Sequence, residues 1–226
     1  MSAAALEING LRFRYRAAAE AVVSIDRFLL GSGEACLLRA GSGRGKSTLL
    51  NLVAGLLEPE SGVVRVDGID LFALGPGKRD AFRGSKIGMI FQTLNLLAGF
   101  SAAENVMAAL MVSGVPRAEH RDRAVETLRR LGIETPDREA TALSVGQQQR
   151  VAVARAIVTQ PVLVLADEPT ASLDPENAEN ALDLIRSACE EAGAALLLTS
   201  HDPATARGFE RVVSLDSLAP HTAGSH

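Results

Sequence analysis

The sequence is poor in cysteine, and the two cysteines that it contains lie far apart. They are Cys36 and Cys189 in a chain of 226 residues. Small domains held together by disulfides need a dense set of cysteines, so this class of protein is excluded. Cys36 lies in the apolar run "EACLLRA", which is typical of a buried small hydrophobic residue. Reduced thiols in a cytosolic protein fit this pattern, and a disulfide is the alternative.

An excess of positive charge and long hydrophobic runs are also missing. The net charge is −4, whereas nucleic-acid-binding domains carry a basic surface, so we expect no nucleic acid as partner. The most apolar runs, "VLVLA" and "AALLLT", are far shorter than the roughly 20 residues of a membrane-spanning helix. The first residues, "MSAAALEING", lack the basic and apolar regions of a secretory signal. We therefore expect no direct membrane span, and any role at a membrane would come through a partner.

The composition, 47% hydrophobic and 22% charged, is typical of a globular fold. The first third reads as strands, with a hairpin turn at Asp67-Gly68. Helices follow from about Ser101, and strands then alternate with helices. The unbroken apolar strands "VLVLA" and "AALLLT" predict a parallel sheet that is covered on both faces. The fold class is therefore predicted to be α/β.

Three helix starts carry local capping signals. Ser101 and Glu104 form an S-x-x-E capping box, and Ser144 and Gln147 form a second box of the S-x-x-Q type. Asp174, followed by proline, predicts the start of a third helix. The helix that begins at Ser144 has a glycine beside its cap, and such a start can also bind an anion.

A glycine-rich loop, "AGSGRGKST" from Ala40 to Thr48, lies between a predicted strand and a predicted helix. Its three glycines allow successive backbone N–H groups to converge on one phosphate. Lys46 supplies a positive charge for the outer phosphates, and the Ser47 hydroxyl is a candidate ligand of Mg²⁺. The phosphate-loop pattern has a glycine where this chain has Ala40. The loop is thus either a nucleotide site with one tolerated change or only a glycine-rich turn.

Two adjacent carboxylates follow the buried strand "VLVLA". Asp167 and Glu168 are costly at such a position unless they hold a metal or a proton. Asp167 is a candidate for holding Mg²⁺, and Glu168 is a candidate for orienting the attacking water. A solvated acidic turn is the alternative.

Together these motifs resemble the ATPase subunit of an ABC transporter, in the correct order and over nearly the whole chain. The matching segments are Tyr15, which would stack on adenine, the Walker A loop Ala40–Thr48, Gln92 of the Q-loop, the signature Leu143–Gln147 ("LSVGQ"), Walker B at Leu163–Glu168, the D-loop Ser172–Asp174 and the switch histidine His201. Two positions depart from the family pattern. Ala40 replaces the first Walker A glycine, and Val145 replaces the third residue of the signature.

The resemblance implies a P-loop NTPase (RecA-like) core with an antiparallel β subdomain and an inserted α-helical subdomain. Residues 1–226 would form a single ABC ATPase domain. Residues 1–92 and 159–226 would contain the core and the β subdomain, and residues 93–158 the helical subdomain with the signature.

The resemblance also implies ATP and Mg²⁺ as cofactors. The catalytic residues would be Glu168, His201, Lys46 and Gln92, and the metal ligands would be Ser47, Gln92 and Asp167. The nucleotide would contact Tyr15, Gly41, Ser42, Gly43, Arg44, Gly45, Lys46, Ser47 and Thr48 of one copy, and Ser144, Gly146 and Gln147 of a second copy.

The implied partners are a second copy of the chain, in a head-to-tail dimer around two ATPs, and an integral membrane permease. The permease would hold the chain on the cytoplasmic face of the inner or plasma membrane and dock on the helical block between Gln92 and Ser144.

The stretch "FQTLNLLAGFSAAENVMAALMVSGV" is similar to the lipoprotein-release, macrolide-efflux and cell-division ATPases. A regulatory module with little ATP turnover is the alternative, because of Ala40 and Val145. Soluble ABC ATPases of DNA repair or translation need a long coiled-coil insertion or two ATPase units, which this sequence lacks.

Overall fold

The strands of the protein form two sheets, one antiparallel and one parallel. The computed structural model describes residues 4–16, 18–41 and 43–220. The strands are β1 Leu6–Phe13, β2 Val23–Leu30, β3 Ala35–Arg39, β4 Ser61–Val66, β5 Ile69–Asp70, β6 Ile87–Ile90, β7 Leu163–Asp167, β8 Ala195–Ser200 and β9 Arg211–Ser214. The order β2-β1-β4-β5 makes the antiparallel sheet, and the order β6-β7-β8-β3-β9 makes the parallel sheet. The predicted hairpin joins β4 and β5, with φ of 52° at Asp67 and 75° at Gly68, as a type I′ turn requires.

The helices of the described residues are α1 Lys46–Val53, α2 Pro76–Lys86, α3 Ala102–Leu110, α4 His120–Arg130, α5 Val145–Ile157 and α6 Pro175–Glu191. Three of them, α3, α5 and α6, begin where the capping signals predict. Both capping boxes are formed, since the side chains of Ser101 and Ser144 accept hydrogen bonds from backbone N–H groups three residues later and the reciprocal bonds are present. Asp174 accepts a hydrogen bond from the backbone N–H of Asn177 and caps α6.

The parallel sheet is covered on both faces, as its unbroken apolar strands predict. In β3, Cys36 and Leu38 pack into a core that includes the antiparallel sheet and α1. Leu37, which points to the opposite face, packs into a second core together with residues of α3, α4, α5 and α6. Cys36 and Cys189 are both buried free thiols, and burial raises their pKa values to about 11 and about 12. The two cysteines are therefore not joined by a disulfide in the structure.

Helix α2 has no counterpart in the sequence-based assignment. It contains two glycines, none of its residues is buried, and its amino-terminal cap, Gly75, offers no side-chain hydrogen bond. Its local signals are a proline in the first turn, Pro76, and basic residues in the last turn. Gly84 is required by packing, because an added Cβ would lie 2.3 Å from the carbonyl oxygen of Val112.

The strand order brings three chain segments to one edge of the parallel sheet. The carboxyl ends of parallel strands share an edge, and β8 lies between β3 and β7. Arg39 pairs with Ser200, and Asp167 pairs with Thr199. The glycine-rich loop, the acidic pair and His201 therefore follow neighbouring strands. Over the described part of the chain, no helix combines the length and apolar character needed to cross a membrane.

Candidate active site

The glycine-rich loop links β3 to α1, and two of its glycines adopt conformations that favour glycine. Gly43 has φ of 73° and Gly45 has φ of 84°, both in the left-handed region. Gly45 is also constrained by space, because an added Cβ would lie 2.6 Å from the carbonyl oxygen of Val22. Gly41 has no positive φ, and the predicted residue Ser42 lies outside the described residues.

Ala40 does not need the conformational freedom of glycine. The non-glycine residues with positive φ in the described chain are Asp67, Asn95, Gln160 and Glu168, and Ala40 is not among them. Its methyl group belongs to the core beneath α1, and the residue is 9% exposed. Its carbonyl oxygen accepts a hydrogen bond of 2.8 Å from Lys46 Nζ. The alanine therefore fits the loop without backbone strain.

Lys46, Glu168 and His201 form one hydrogen-bonded cluster at the loop. The Lys46 ammonium, which is only 4% exposed, donates to the carbonyl oxygens of Ala40 and Gly41 and lies 2.9 Å from Glu168 Oε1. The other carboxylate oxygen, Oε2, lies 2.5 Å from Nδ1 of His201. Both oxygens of Glu168 and all three hydrogens of the Lys46 ammonium are thus engaged within the chain.

The surroundings of Glu168 set its charge. Burial raises the pKa of this carboxyl group, but hydrogen bonds and charges from Lys46 and His201 outweigh burial and hold the pKa below its ordinary value. Glu168 also adopts φ of 45°, a conformation that costs a non-glycine residue about 1–2 kcal/mol. Such strain persists only where the surrounding structure enforces it, and it is common at functional sites.

Thr199, at the penultimate position of β8, holds the acidic pair in place. Its hydroxyl lies 2.8 Å from Asp167 Oδ1, and its carbonyl oxygen accepts a hydrogen bond of 3.1 Å from the Glu168 backbone N–H. The sequence analysis missed this buried threonine. The only local signal is its place in "LLLTSHD", two residues before His201.

An open cleft of about 590 Å³ gathers most of the predicted residues. It is lined by Tyr15, Val22, Gly43, Gly45, Lys46, Ser47, Thr48, Gln92, Glu168 and His201. Gly41 adjoins it through the carbonyl oxygen that binds Lys46, and Asp167 directly precedes Glu168. Arg44 is exposed and lies 3.7 Å from the carboxylate of Asp216. The cleft brings together a phosphate-type loop, a buried cation, a carboxylate and an imidazole.

The signature segment is not part of this cleft. Ser144, Gly146 and Gln147 form the amino-terminal end of α5, and none of them lines the cleft. Gly146 has no atom within 4 Å of its Cβ position, and Val145 is 61% exposed. The start of α5 therefore presents backbone N–H groups beside an open surface, where an anion from another molecule can approach.

Comparisons with known proteins agree with this geometry. The family model described as "ABC transporter" matches residues 25–171. The lipoprotein-releasing system ATP-binding protein LolD of Chromohalobacter salexigens is 40% identical over 214 residues, which cover 93% of this chain and 90% of that relative. The macrolide export ATP-binding/permease protein MacB of Syntrophobacter fumaroxidans is 41% identical over 216 residues, which cover 93% of this chain but 30% of the relative.

A similar solved structure is the dimeric, post-hydrolysis state of the ATP-binding cassette MJ0796 bound to ADP and Pi. It has a TM-score of 0.79 and 32% identity, and the match covers 92% of this chain and 93% of that one. The predicted P-loop NTPase fold and the resemblance to lipoprotein-release and macrolide-efflux ATPases are therefore confirmed. The chain belongs to the ABC transporter family, and its fold is that of an ATP-binding cassette.

Proposed function

We propose that this chain is the ATP-binding and ATP-hydrolysing subunit of an ABC transporter or of a related complex that transmits mechanical work across a membrane. The single observation that carries the proposal is the cluster of Lys46, Glu168 and His201 at the mouth of the glycine-rich loop. It combines a cation for phosphates, a carboxylate for water and an imidazole in one cleft. Phosphoryl transfer needs mainly such positioning and electrostatic stabilisation.

Within this proposal, the phosphates of ATP lie on the backbone N–H groups of the loop and against Lys46, and the adenine stacks on Tyr15. The contacts from the loop are those of Gly41, Ser42, Gly43, Arg44, Gly45, Lys46, Ser47 and Thr48. Because all three hydrogens of the Lys46 ammonium are engaged, a phosphate must replace one of its present partners. If the phosphate takes the place of Glu168 at the Lys46 ammonium, a carboxylate oxygen of Glu168 would become free to orient the attacking water. His201 would contact the γ-phosphate.

The residues of the cleft also suit Mg²⁺, which prefers oxygen ligands and usually binds through one or two protein side chains and the substrate phosphates. The candidate ligands are the Ser47 hydroxyl, the Gln92 amide oxygen and the Asp167 carboxylate. Thr199 already orients Asp167 by a 2.8 Å hydrogen bond. When bound, the ion would neutralise charge on the β- and γ-phosphates.

The start of α5 completes the nucleotide site of a second copy. Ser144, Gly146 and Gln147 do not line the cleft of their own chain, so they serve an ATP held by another chain in a head-to-tail dimer. ATP then favours the closed dimer, because the second set of contacts exists only in that state. Hydrolysis removes that preference and opens the dimer.

The partner that receives this motion is an integral membrane permease on whose cytoplasmic side the chain resides. Residues 93–158 form the helical subdomain of the proposed domain division, and they carry exposed large apolar side chains suited to docking. These are Leu97, Phe100, Met111 and Val112, of which Met111 is 73% exposed. The names of the relatives LolD and MacB favour a permease of lipoprotein-release or macrolide-export type.

The proposal is tested by steady-state hydrolysis of Mg-ATP together with size-exclusion chromatography. We expect Lys46→Ala to lose ATP binding, and Glu168→Gln to bind ATP, lose most turnover and elute as a dimer with Mg-ATP. A wild-type rate no faster than that of Glu168→Gln would contradict the enzyme and support a regulatory module. Elution of Glu168→Gln as a monomer only, with ATP bound, would contradict the head-to-tail dimer around two ATPs.

A further inference from the structure

The ring of Tyr15 is held from two directions. Its hydroxyl lies 3.1 Å from Oγ1 of Thr48, and its ring lies 4.8 Å from that of Phe13, at an interplanar angle of 86°. Phe13 is a buried member of the core, so one of the two supports is itself fixed. Tyr15 nevertheless remains 45% exposed and lines the cleft. The ring is thus restrained while part of its surface stays open.

The hydroxyl of Thr48 is well suited to fix another group. Thr48 is the third residue of α1, directly after Lys46 and Ser47, and it is buried. A threonine side chain in a helix is largely restricted to two rotamers, so its hydroxyl has few directions available. This bond crosses from the segment that follows β1 of the antiparallel sheet to the helix that begins at the phosphate loop.

We infer that Thr48 is a positioning residue. Through its hydrogen bond to the Tyr15 hydroxyl, it holds the aromatic ring on which the adenine base would stack. The inference rests on the proposed ATP site and adds a positioning role to the nucleotide contact of Thr48 proposed above. The bond fixes the distance between the aromatic ring and the loop. A nucleotide that spans both then meets a site whose geometry is set before it binds, which lowers the entropic cost of binding.

A double-mutant cycle tests the inference. The dissociation constant of ATP is measured by calorimetry for wild type, Thr48→Val, Tyr15→Phe and the double variant. Thr48→Val keeps the shape of the side chain and Tyr15→Phe keeps the ring, so each removes one hydroxyl only. We expect each single variant to weaken binding by about 2- to 10-fold, the range that one lost hydrogen bond gives. The double variant should be no weaker than the single ones.

Further variants separate positioning from a structural role. Thr48→Ser keeps a hydroxyl and should recover most of the affinity for ATP that Thr48→Val loses. Thr48→Ala replaces Thr48→Val if the latter does not fold. Because the chain has one tyrosine and no tryptophan, its intrinsic fluorescence reports on Tyr15 alone. Fluorescence anisotropy decay should show a more mobile ring in Thr48→Val and not in Thr48→Ser.

Two results would overturn the inference: unchanged ATP affinity in Thr48→Val, or losses that multiply fully in the double variant. The second result would mean that Thr48 acts independently of Tyr15. Failure of the proposed function gives a different pattern, because wild type would then show no ATP binding that depends on Lys46. A wild type that binds ATP, loses binding in Lys46→Ala and shows independent effects at positions 15 and 48 would contradict only the role of Thr48.

Discussion

At the scale of single residues, the methyl group of Ala40 is the main departure from the phosphate-loop pattern. Two requirements can make a glycine necessary, a positive φ or a lack of space for Cβ. Ala40 meets neither, because its φ is not positive and its methyl group packs into the core beneath α1. At Gly45 both a positive φ and a lack of space for Cβ apply, and this position is a glycine in the chain. The two positions show why glycines in one motif differ in their tolerance of substitution.

We predict that Ala40→Gly does not increase ATP affinity and lowers the free energy of unfolding by about 1 kcal/mol. Glycine adds conformational freedom to the unfolded chain and removes a buried methyl group. Urea denaturation measures the stability, and calorimetric titration with ATP measures the affinity. A gain in ATP affinity would mean that the alanine strains the loop after all.

At the scale of elements, α5 uses two arginines to join segments on different sides of the helix. Arg155 donates to the carbonyl oxygens of Leu94 and Asn95, both at 2.7 Å, and so holds the segment that follows Gln92. Arg150 donates to the carbonyl oxygen of Leu131, at the carboxyl end of α4, also at 2.7 Å. The helix that starts with the signature therefore also fixes the segment next to a residue of the cleft.

We predict that Arg155→Ala lowers the free energy of unfolding by about 2 kcal/mol, the size expected for loss of hydrogen bonds to a charged group. Backbone amides of residues 93–101 should exchange hydrogen faster, because two carbonyl anchors of that segment are lost. Arg150→Ala is the matched control, since it removes a similar bond from the same helix. In Arg150→Ala, faster hydrogen exchange of backbone amides should appear near residues 131–133. Equal effects of both variants on residues 93–101 would show that the Arg155 hydrogen bonds do not hold that segment.

At the scale of the whole molecule, Glu168 connects segments that follow three strands of the parallel sheet. It follows β7, pairs with Lys46 beyond β3 and contacts His201 beyond β8. Since these contacts hold the pKa of its carboxyl group below the ordinary value near 4.5, the charged form stabilises the folded chain. This contribution is present above the pKa of the unfolded chain and is lost as the pH falls through the folded pKa.

We predict that wild type loses more stability than Glu168→Gln when the pH falls below about 4.5. Other carboxyl groups also have lowered pKa values, among them Glu34 and Asp174, so only the difference between the two proteins isolates Glu168. Urea denaturation at several pH values between neutral and acid measures it. Parallel pH profiles for both proteins would show that the Glu168 contacts contribute nothing to folding.

Much of the fold follows from local signals in the sequence. The capping boxes at Ser101 and Ser144, the turn at Asp67 and the apolar runs of β7 and β8 each act within a few residues, and each is found where it is predicted. Helix α2 was missed because its local signals conflict. Its glycines weaken a helix, and Gly84 is explained only by the backbone of Val112, a distant part of the chain.

The sequence by itself determined the chemistry available to the site, since Lys46, Glu168 and His201 are identified by their motifs. Only the tertiary structure decided which side chains contact one another in the site. These contacts are the Lys46–Glu168 ion pair, the hydrogen bond from Thr199 to Asp167 and the hydrogen bond between Tyr15 and Thr48. It also decided that the start of α5 lies outside the cleft and that Ala40 needs no positive φ. The physical reason is that these contacts join residues tens of positions apart. They depend on the strand order β7-β8-β3 and on packing, which no local pattern specifies.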